Sequence, residues 1–180
     1  GVSKFAVATL QEAITLRNAG ADEEIICLGL TPDMYADTLI DYDVTPVVCS
    51  SDNAEAISDA AAVKGKIVSA LIAVDTGMGR IGYLADDIEM AVMDVRKIAS
   101  LPNLKIRGLF SHMSTADAAD KTYSHDQEAK FNTFYEALTK AGIKFPIRTL
   151  ANSASIMELP SILFDEVRPG IIQYGLYPSH

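Results

Sequence analysis

Four stretches of this chain carry residues whose type and spacing can do chemistry, and each accompanies a strand-like apolar run. In Val74-Asp75-Thr76-Gly77-Met78-Gly79-Arg80-Ile81-Gly82, closely spaced glycines permit a sharp turn and close backbone approach, leaving Arg80 near a strand mouth. In Gly108-Leu109-Phe110-Ser111-His112-Met113-Ser114-Thr115-Ala116-Asp117, alternation puts His112 on the same side as Phe110 and Gly108. A neutral imidazole there can stack flat on an aromatic ligand; a hydrogen-bonded structural histidine is the competing reading. Leu150-Ala151-Asn152-Ser153-Ala154-Ser155 sets small hydroxyl and amide residues where a helix begins. Its backbone N–H groups and the Ser153 hydroxyl can face a phosphate, or simply cap the helix. Finally, Val167-Arg168-Pro169-Gly170-Ile171-Ile172-Gln173-Tyr174-Gly175-Leu176 reads as a buried strand with Arg-Pro-Gly at its start. A full positive charge beside an apolar run is costly to bury without a partner. Glycine in such a place marks close approach of the backbone to something else. The backbone N–H groups of Arg168-Pro169-Gly170-Ile171 can complete an anion cradle with the 152–153 turn, because late strand-to-helix loops are the usual phosphate site of barrels.

The elements that must position these residues follow from an alternation that runs the length of the chain. Apolar runs at Phe5–Ala8, Ile25–Gly29, Val44–Cys49, Ile67–Val74, Ile106–Phe110, Ile147–Leu150 and Val167–Leu176 are separated by amphipathic or short polar segments. Helices are predicted over Leu10–Ala19, from Thr31-Pro32 with proline at the first helical position, from Ser51 to about Val63, Asp86–Ser100 and Ser124–Ala141. Such regularity implies parallel strands joined by right-handed crossovers. No glycine fingerprint follows the first strand, as a dinucleotide-binding sheet would require. Polar, glycine-bearing stretches instead follow several strands, the distribution a barrel active site needs. The expected fold class is therefore α/β, a (β/α)8 TIM-type barrel. Seven runs are counted where a closed barrel has eight, so the barrel is expected to be incomplete.

Composition excludes several other classes. The 180 residues carry 24 acidic and 15 basic side chains, a net charge of −9, with no lysine- or arginine-rich run, which disfavours nucleic acid and anionic membranes. The longest uncharged apolar run, Ile67–Val74, is far below membrane-spanning length, and no secretory signal pattern is present. Cys27 and Cys49 match neither a zinc pattern nor a disulfide scaffold and read as reduced thiols of a cytoplasmic protein. No metal site is expected.

Taken together, Asp75-Thr76-Gly77-Met78-Gly79-Arg80-Ile81-Gly82, Ser111-His112-Met113-Ser114-Thr115-Ala116-Asp117, Ala151-Asn152-Ser153-Ala154 and Val167-Arg168-Pro169-Gly170-Ile171-Ile172-Gln173-Tyr174-Gly175 stand in the order and spacing of bacterial alanine racemases. The opening Phe5–Ala13 and Ile26–Pro32 resemble that family's second and third strands, so the resemblance covers the whole chain. It implies strands 2 to 8 of a pyridoxal 5'-phosphate barrel, with the first strand and a separate C-terminal β domain lying outside residues 1–180. It also implies a homodimer acting on alanine. By resemblance, Arg168 would lie against the cofactor's ring nitrogen and Arg80 would bond its phenolic oxygen. His112 would pack on the ring face with Asn152 close by. Ser153, with the amides of Gly170 and Ile171, would hold the phosphate.

Three departures qualify the expectation. The family's Schiff-base lysine lies in a segment like Lys-Ala-Asn-Ala-Tyr-Gly, which does not occur here; Lys4 stands in a different context. The family's opposite-face tyrosine comes from a partner's C-terminal domain. Many members carry a lysine two residues before the aspartate of Asp-Thr-Gly, where this chain has Ala73, leaving Arg80 to be held by something else, such as an anion. No catalytic residue is therefore assigned within this chain, which by itself is expected to be inactive. Its exposed barrel edges are expected to favour self-association. The competing readings are a racemase of serine or another small amino acid, and a non-enzymatic pyridoxal-phosphate carrier or homeostasis protein sharing the barrel.

Overall fold

The computed structural model describes residues 2–178. Along the chain these form β1 (Lys4–Val7), α1 (Leu10–Asn18), β2 (Glu24–Cys27), α2 (Ala36–Asp41), β3 (Val44–Val48), α3 (Ser51–Val63), β4 (Val68–Asp75), β5 (Tyr83–Leu84), α4 (Ile88–Ala99), β6 (Leu104–Phe110), α5 (Thr122–Lys140), β7 (Ile147–Thr149) and α6 (Ser153–Glu158). The hydrogen-bonded order is β1-β2-β3-β4-β6-β7, with β5 on β4. The pairings β1–β2, β2–β3, β3–β4 and β6–β7 are parallel, the arrangement of an incomplete (β/α) barrel.

Local chemistry explains where the helices start and stop. Thr9 caps α1: its Oγ1 accepts from the Glu12 amide at 3.3 Å, while the Glu12 carboxylate accepts from the Thr9 amide at 2.9 Å. Gly20, with φ of 91°, then turns the chain out of α1. Ser50 caps α3 by accepting from the Asn53 amide at 3.3 Å.

Two compact units divide the chain, with β4 and β6 each running from one into the other. The first takes the residues up to Ile72 together with Met93–Arg107. Its core joins strand residues Ile25, Val47 and Leu71 to helical Leu39, Ile57 and Ile98, all at most 1% exposed. Each such side chain stabilises the fold by about 1.5–3 kcal/mol relative to exposure. At the N-terminal ends of β2 and β3, one guanidinium closes four backbone acceptors. Arg17 donates to the carbonyls of Tyr42 (2.9 Å), Ala21 (2.7 Å), Glu23 (2.6 Å) and Asp43 (2.8 Å). Arg17→Met retains the apolar stem but strands those carbonyls. A loss of roughly 2 kcal/mol in the urea unfolding free energy is expected; an unchanged midpoint would show that water replaces the guanidinium without penalty.

The second unit comprises Ala73–Val92 and the chain from Gly108 onward. Leu109 and Phe110 of β6, Phe131, Phe134 and Leu138 of α5, Leu150 and Ile162 form its core, each at most 2% exposed.

The expected strand at Val167–Leu176 is not observed. The chain makes one parallel bridge, Thr149 to Glu166, and the Arg168 amide donates to the Ala151 carbonyl at 3.0 Å. Pro169 then has no N–H to continue a ladder, and Gly170 leaves the β region with φ −117° and ψ −96°. Residues Ile171–Tyr174 curl into a 3-10 turn, closed by Gln173 N–H to the Gly170 carbonyl and Gly175 N–H to that of Ile172. Backbone groups satisfied this locally need no neighbouring strand. Of the apolar residues predicted as buried, Val167, Ile171, Tyr174 and Leu176 are consequently exposed, Tyr174 by 82%, and Ile172 is half-buried. Two smaller corrections apply. Pro32, extended at ψ 145°, precedes a 3-10 turn at Asp33–Tyr35 rather than occupying the first position of an α-helix. The short strand β5 was not anticipated. Cys27 is buried and Cys49 half-buried, and neither is in a disulfide among the described residues.

Candidate functional site

All seven residues singled out from sequence lie in the second unit, in the segments that follow β4, β6 and β7. The loop after β4 is shaped first by glycine and aspartate. Asp75 Oδ1 accepts from the amides of Gly77 at 2.9 Å and Gly79 at 3.0 Å. Tyr123 of α5 donates its phenolic proton to the Gly77 carbonyl at 2.7 Å. Gly82, at φ 120°, passes so close to β4 that an added Cβ would lie 2.6 Å from the Asp75 nitrogen and the Val74 carbonyl carbon. Gly82→Ala must displace backbone, and a loss of about 2 kcal/mol is expected. Equal thermal midpoints for the variant and the parent would refute it. The loop carries the exposed Arg80 along a cleft lined by Val74, Asp75, Met78, Phe110, Ser111 and His112.

Arg168 stands at the centre. Its guanidinium lies 4.7 Å above the Phe110 ring and donates to Thr149 Oγ1, to the Ser111 carbonyl (2.6 Å) and to the Leu150 carbonyl (3.1 Å). Its Nη2 also lies 3.4 Å from His112 Nδ1. Burial, and next the positive charge of Arg80, push its pKa down to about 9, so it remains a cation at pH 7. The sequence expectation that this charge needs a partner is met mainly by carbonyls and a ring face. One donor is left over: the Nε atom is fully buried and has no hydrogen-bond partner among the described residues.

His112 is half-buried between these charges. Burial first, then Arg168 and Arg80, lower its pKa to about 4, so the imidazole is neutral at pH 7. Two cations around a neutral ring make this mouth attractive to an anion.

The 152–153 turn reaches the same place by a different route. Asn152 caps α6, its Oδ1 accepting from the Ser155 amide and hydroxyl at 3.1 and 2.9 Å, while its Nδ2 donates to the Met113 carbonyl at 3.1 Å. Both ends of that side chain are engaged within the protein. Ser153 Oγ accepts from the Gly170 amide at 2.9 Å, which joins the two halves of the expected cradle. The hydroxyl proton of Ser153 can still be donated outward. Ile171 opens the 3-10 turn and is 46% exposed.

Sequence reasoning missed Gln127 of α5, which is completely buried and bonded to Thr76, His112 and Ser114. The signal was available. Buried Ser124, Gln127, Phe131, Phe134 and Leu138 recur at spacings of three and four, so an amide stands in an apolar stripe.

Parallel strands alternating with helices, with cationic and hydroxyl side chains gathered beyond the strand ends, define an incomplete (β/α) barrel. The family described as alanine racemase, N-terminal domain, matches residues 1–178. The chain belongs to that family. The alanine racemase of Clostridium kluyveri is 48% identical over 179 residues, covering 99% of this chain and 45% of that protein. The alanine racemase of Clostridium novyi is 46% identical over 180 residues, covering 100% of this chain and 46% of the relative. Among solved structures, alanine racemase from Clostridium difficile 630 superposes with a TM-score of 0.95 at 34% identity, covering 99% of this chain and 46% of that one. The chain thus spans less than half the length of the relatives it matches. Among the described residues no helix is long and apolar enough to cross a membrane.

Proposed function

We propose that this chain supplies the cofactor-holding part of an alanine racemase, a pyridoxal-phosphate enzyme that interconverts L- and D-alanine for the cell wall. The observation that carries the reading is the buried Arg168 Nε, without a hydrogen-bond partner among the described residues, beside a neutral His112. A buried N–H without an acceptor costs free energy, and a pyridine nitrogen is the kind of acceptor that would relieve it. When bound, the pyridoxal group would act as an electron sink that acidifies the α-proton of alanine.

The residues of this chain bind and orient. Arg168 keeps its proton at neutral pH and would hold the ring nitrogen unprotonated, which moderates the sink and suits racemisation over side reactions. His112, uncharged, offers a flat face for stacking, and Arg80 offers donors to an anionic oxygen. The Ser153 hydroxyl and the Ile171 amide would face the phosphate, with the Gly170 amide holding Ser153 in place. None of these is a base suited to take the α-proton: both arginines are cations, and an imidazole held near pKa 4 is a weak acceptor. Racemisation therefore needs proton-transfer groups beyond these seven. We assign the protein to the cytoplasm and its assembled form to a dimer. The exposure of Val167, Ile171, Tyr174 and Tyr177 supports an edge covered on assembly.

The reading is tested with the intact protein by absorbance titration with pyridoxal phosphate, followed by a chirality assay on L-alanine. Saturable binding with formation of D-alanine is expected. Cofactor binding without any spectral response to either alanine enantiomer would replace this reading with that of a carrier.

A further inference from the structure

We infer that Gln127 is a positioning residue that sets the β4 and β6 mouths against each other, so that His112 and the Arg80 loop present one preformed ligand face. The inference rests on the function proposed above, and four hydrogen bonds carry it. Gln127 Nε2 donates to Thr76 Oγ1 at 3.1 Å and to the His112 carbonyl at 3.2 Å. Its Oε1 accepts from the Ser114 amide and the Ser114 hydroxyl, each at 3.0 Å.

With two donors and two acceptors used, the amide is fully satisfied, and its orientation is unambiguous. Exchanging oxygen and nitrogen would face Oε1 toward the His112 carbonyl and the NH2 toward the Ser114 N–H, two repulsions in a site with no exposure to water. The network extends further. Thr76 Oγ1, accepting from Gln127, also shares a hydrogen bond with Ser111 Oγ at 3.0 Å, and the Ser111 carbonyl accepts from Arg168. Thr76 stands directly after Asp75, whose carboxylate gathers the Gly77 and Gly79 amides ahead of Arg80. A single side chain on α5 is therefore bonded to the loop that carries Arg80 and to the backbone that carries His112. Gln127 touches no ligand-facing atom itself. Buried polar groups of this kind specify one arrangement when they are satisfied, and the Gln127 amide leaves neither donor nor acceptor unused.

The test uses the intact protein with three variants. Gln127→Met keeps the volume and removes all four bonds. Thr76→Val removes the link to the β4 loop, together with the Thr76–Ser111 hydrogen bond, and leaves the bonds of Gln127 to His112 and Ser114. Phe134→Leu, in the core of the same helix, is a stability control outside the network. Two readouts separate positioning from general destabilisation: the NMR titration of His112 in the cofactor-free protein, and pyridoxal-phosphate affinity with the circular dichroism of the bound chromophore. In Gln127→Met the His112 midpoint is expected to climb from about 4 toward 6.5. Cofactor affinity should fall about 10-fold or more with an altered dichroic band, Thr76→Val following in the same direction to a smaller extent. Phe134→Leu should lower the melting temperature and leave both readouts unmoved. If Gln127→Met changes only the melting temperature, as the control does, the positioning role is overturned. If it does not fold, Thr76→Val decides on the same readouts. Should the parent protein fail to bind the cofactor, the functional reading falls, while the His112 titration still decides the role of Gln127.

Discussion

Arg168→Met is expected to cost roughly 3 kcal/mol of unfolding free energy and to weaken pyridoxal-phosphate binding by about 100-fold. Two effects oppose each other. Removing a cation from a buried position relieves a desolvation cost, and an apolar replacement of similar shape can then be neutral or stabilising. Here that relief is outweighed by what is left behind. Thr149, Ser111 and Leu150, which are at most 2% exposed, all lose the donor they share. Arg168→Lys separates the two losses, because an ammonium can satisfy some of these acceptors but has no Nε to offer a ring nitrogen. It should recover part of the stability and little of the affinity. Urea midpoints and an absorbance titration on the same preparations provide the check; parent-like affinity in Arg168→Lys would remove the guanidinium from the site.

A pH dependence of stability centred on His112 is the second large effect. Its imidazole has a folded pKa of about 4 against an ordinary value of 6.5. The unfolded chain therefore binds a proton more readily throughout that window. The contribution of the neutral ring is fully present above pH 6.5, is lost progressively as pH falls toward 4, and is gone below it. The gap corresponds to roughly 3 kcal/mol. The charges that face the ring are Arg168, with Nη2 at 3.4 Å from Nδ1, and Arg80 across the cleft; both repel a protonated imidazole. His112→Phe retains a flat ring without a titrating nitrogen and should flatten the profile. Urea midpoints at pH 7, 5.5 and 4.5 decide the matter. Parallel curves for parent and variant would mean that the acid sensitivity arises elsewhere.

The parts of the molecule that were legible in sequence share one property: their signal is local. The helix at Leu10–Asn18 is written in Thr9 and Glu12, which satisfy each other's orphan amides whatever surrounds them. The turn after β4 is written in Asp75 and its glycines, because positive φ at Gly77, Gly79 and Gly82 is a property of the residue type. Arg168 beside an apolar run signalled a buried charge because desolvation is costly wherever it occurs. The Val167–Leu176 segment misled for the complementary reason. Its apolar residues have strand character, but a strand is made by its neighbours, and Pro169 and Gly170 diverted the backbone into bonds with itself.

Amino-acid order alone determined the alternation of strand and helix, the residues that gather beyond the strand ends, and the kinship with alanine racemases. Only the tertiary structure decided what those residues do to one another. It joined Ser153 to Gly170 across 17 positions and Ser111 to Arg168 across 57. It made His112 neutral by burying it between two arginines, left Arg168 Nε without an acceptor among the described residues, and turned an unremarked glutamine into the tie between two loops. Hydrogen bonding and desolvation act over a few ångströms of space, and distance along the chain does not measure that separation.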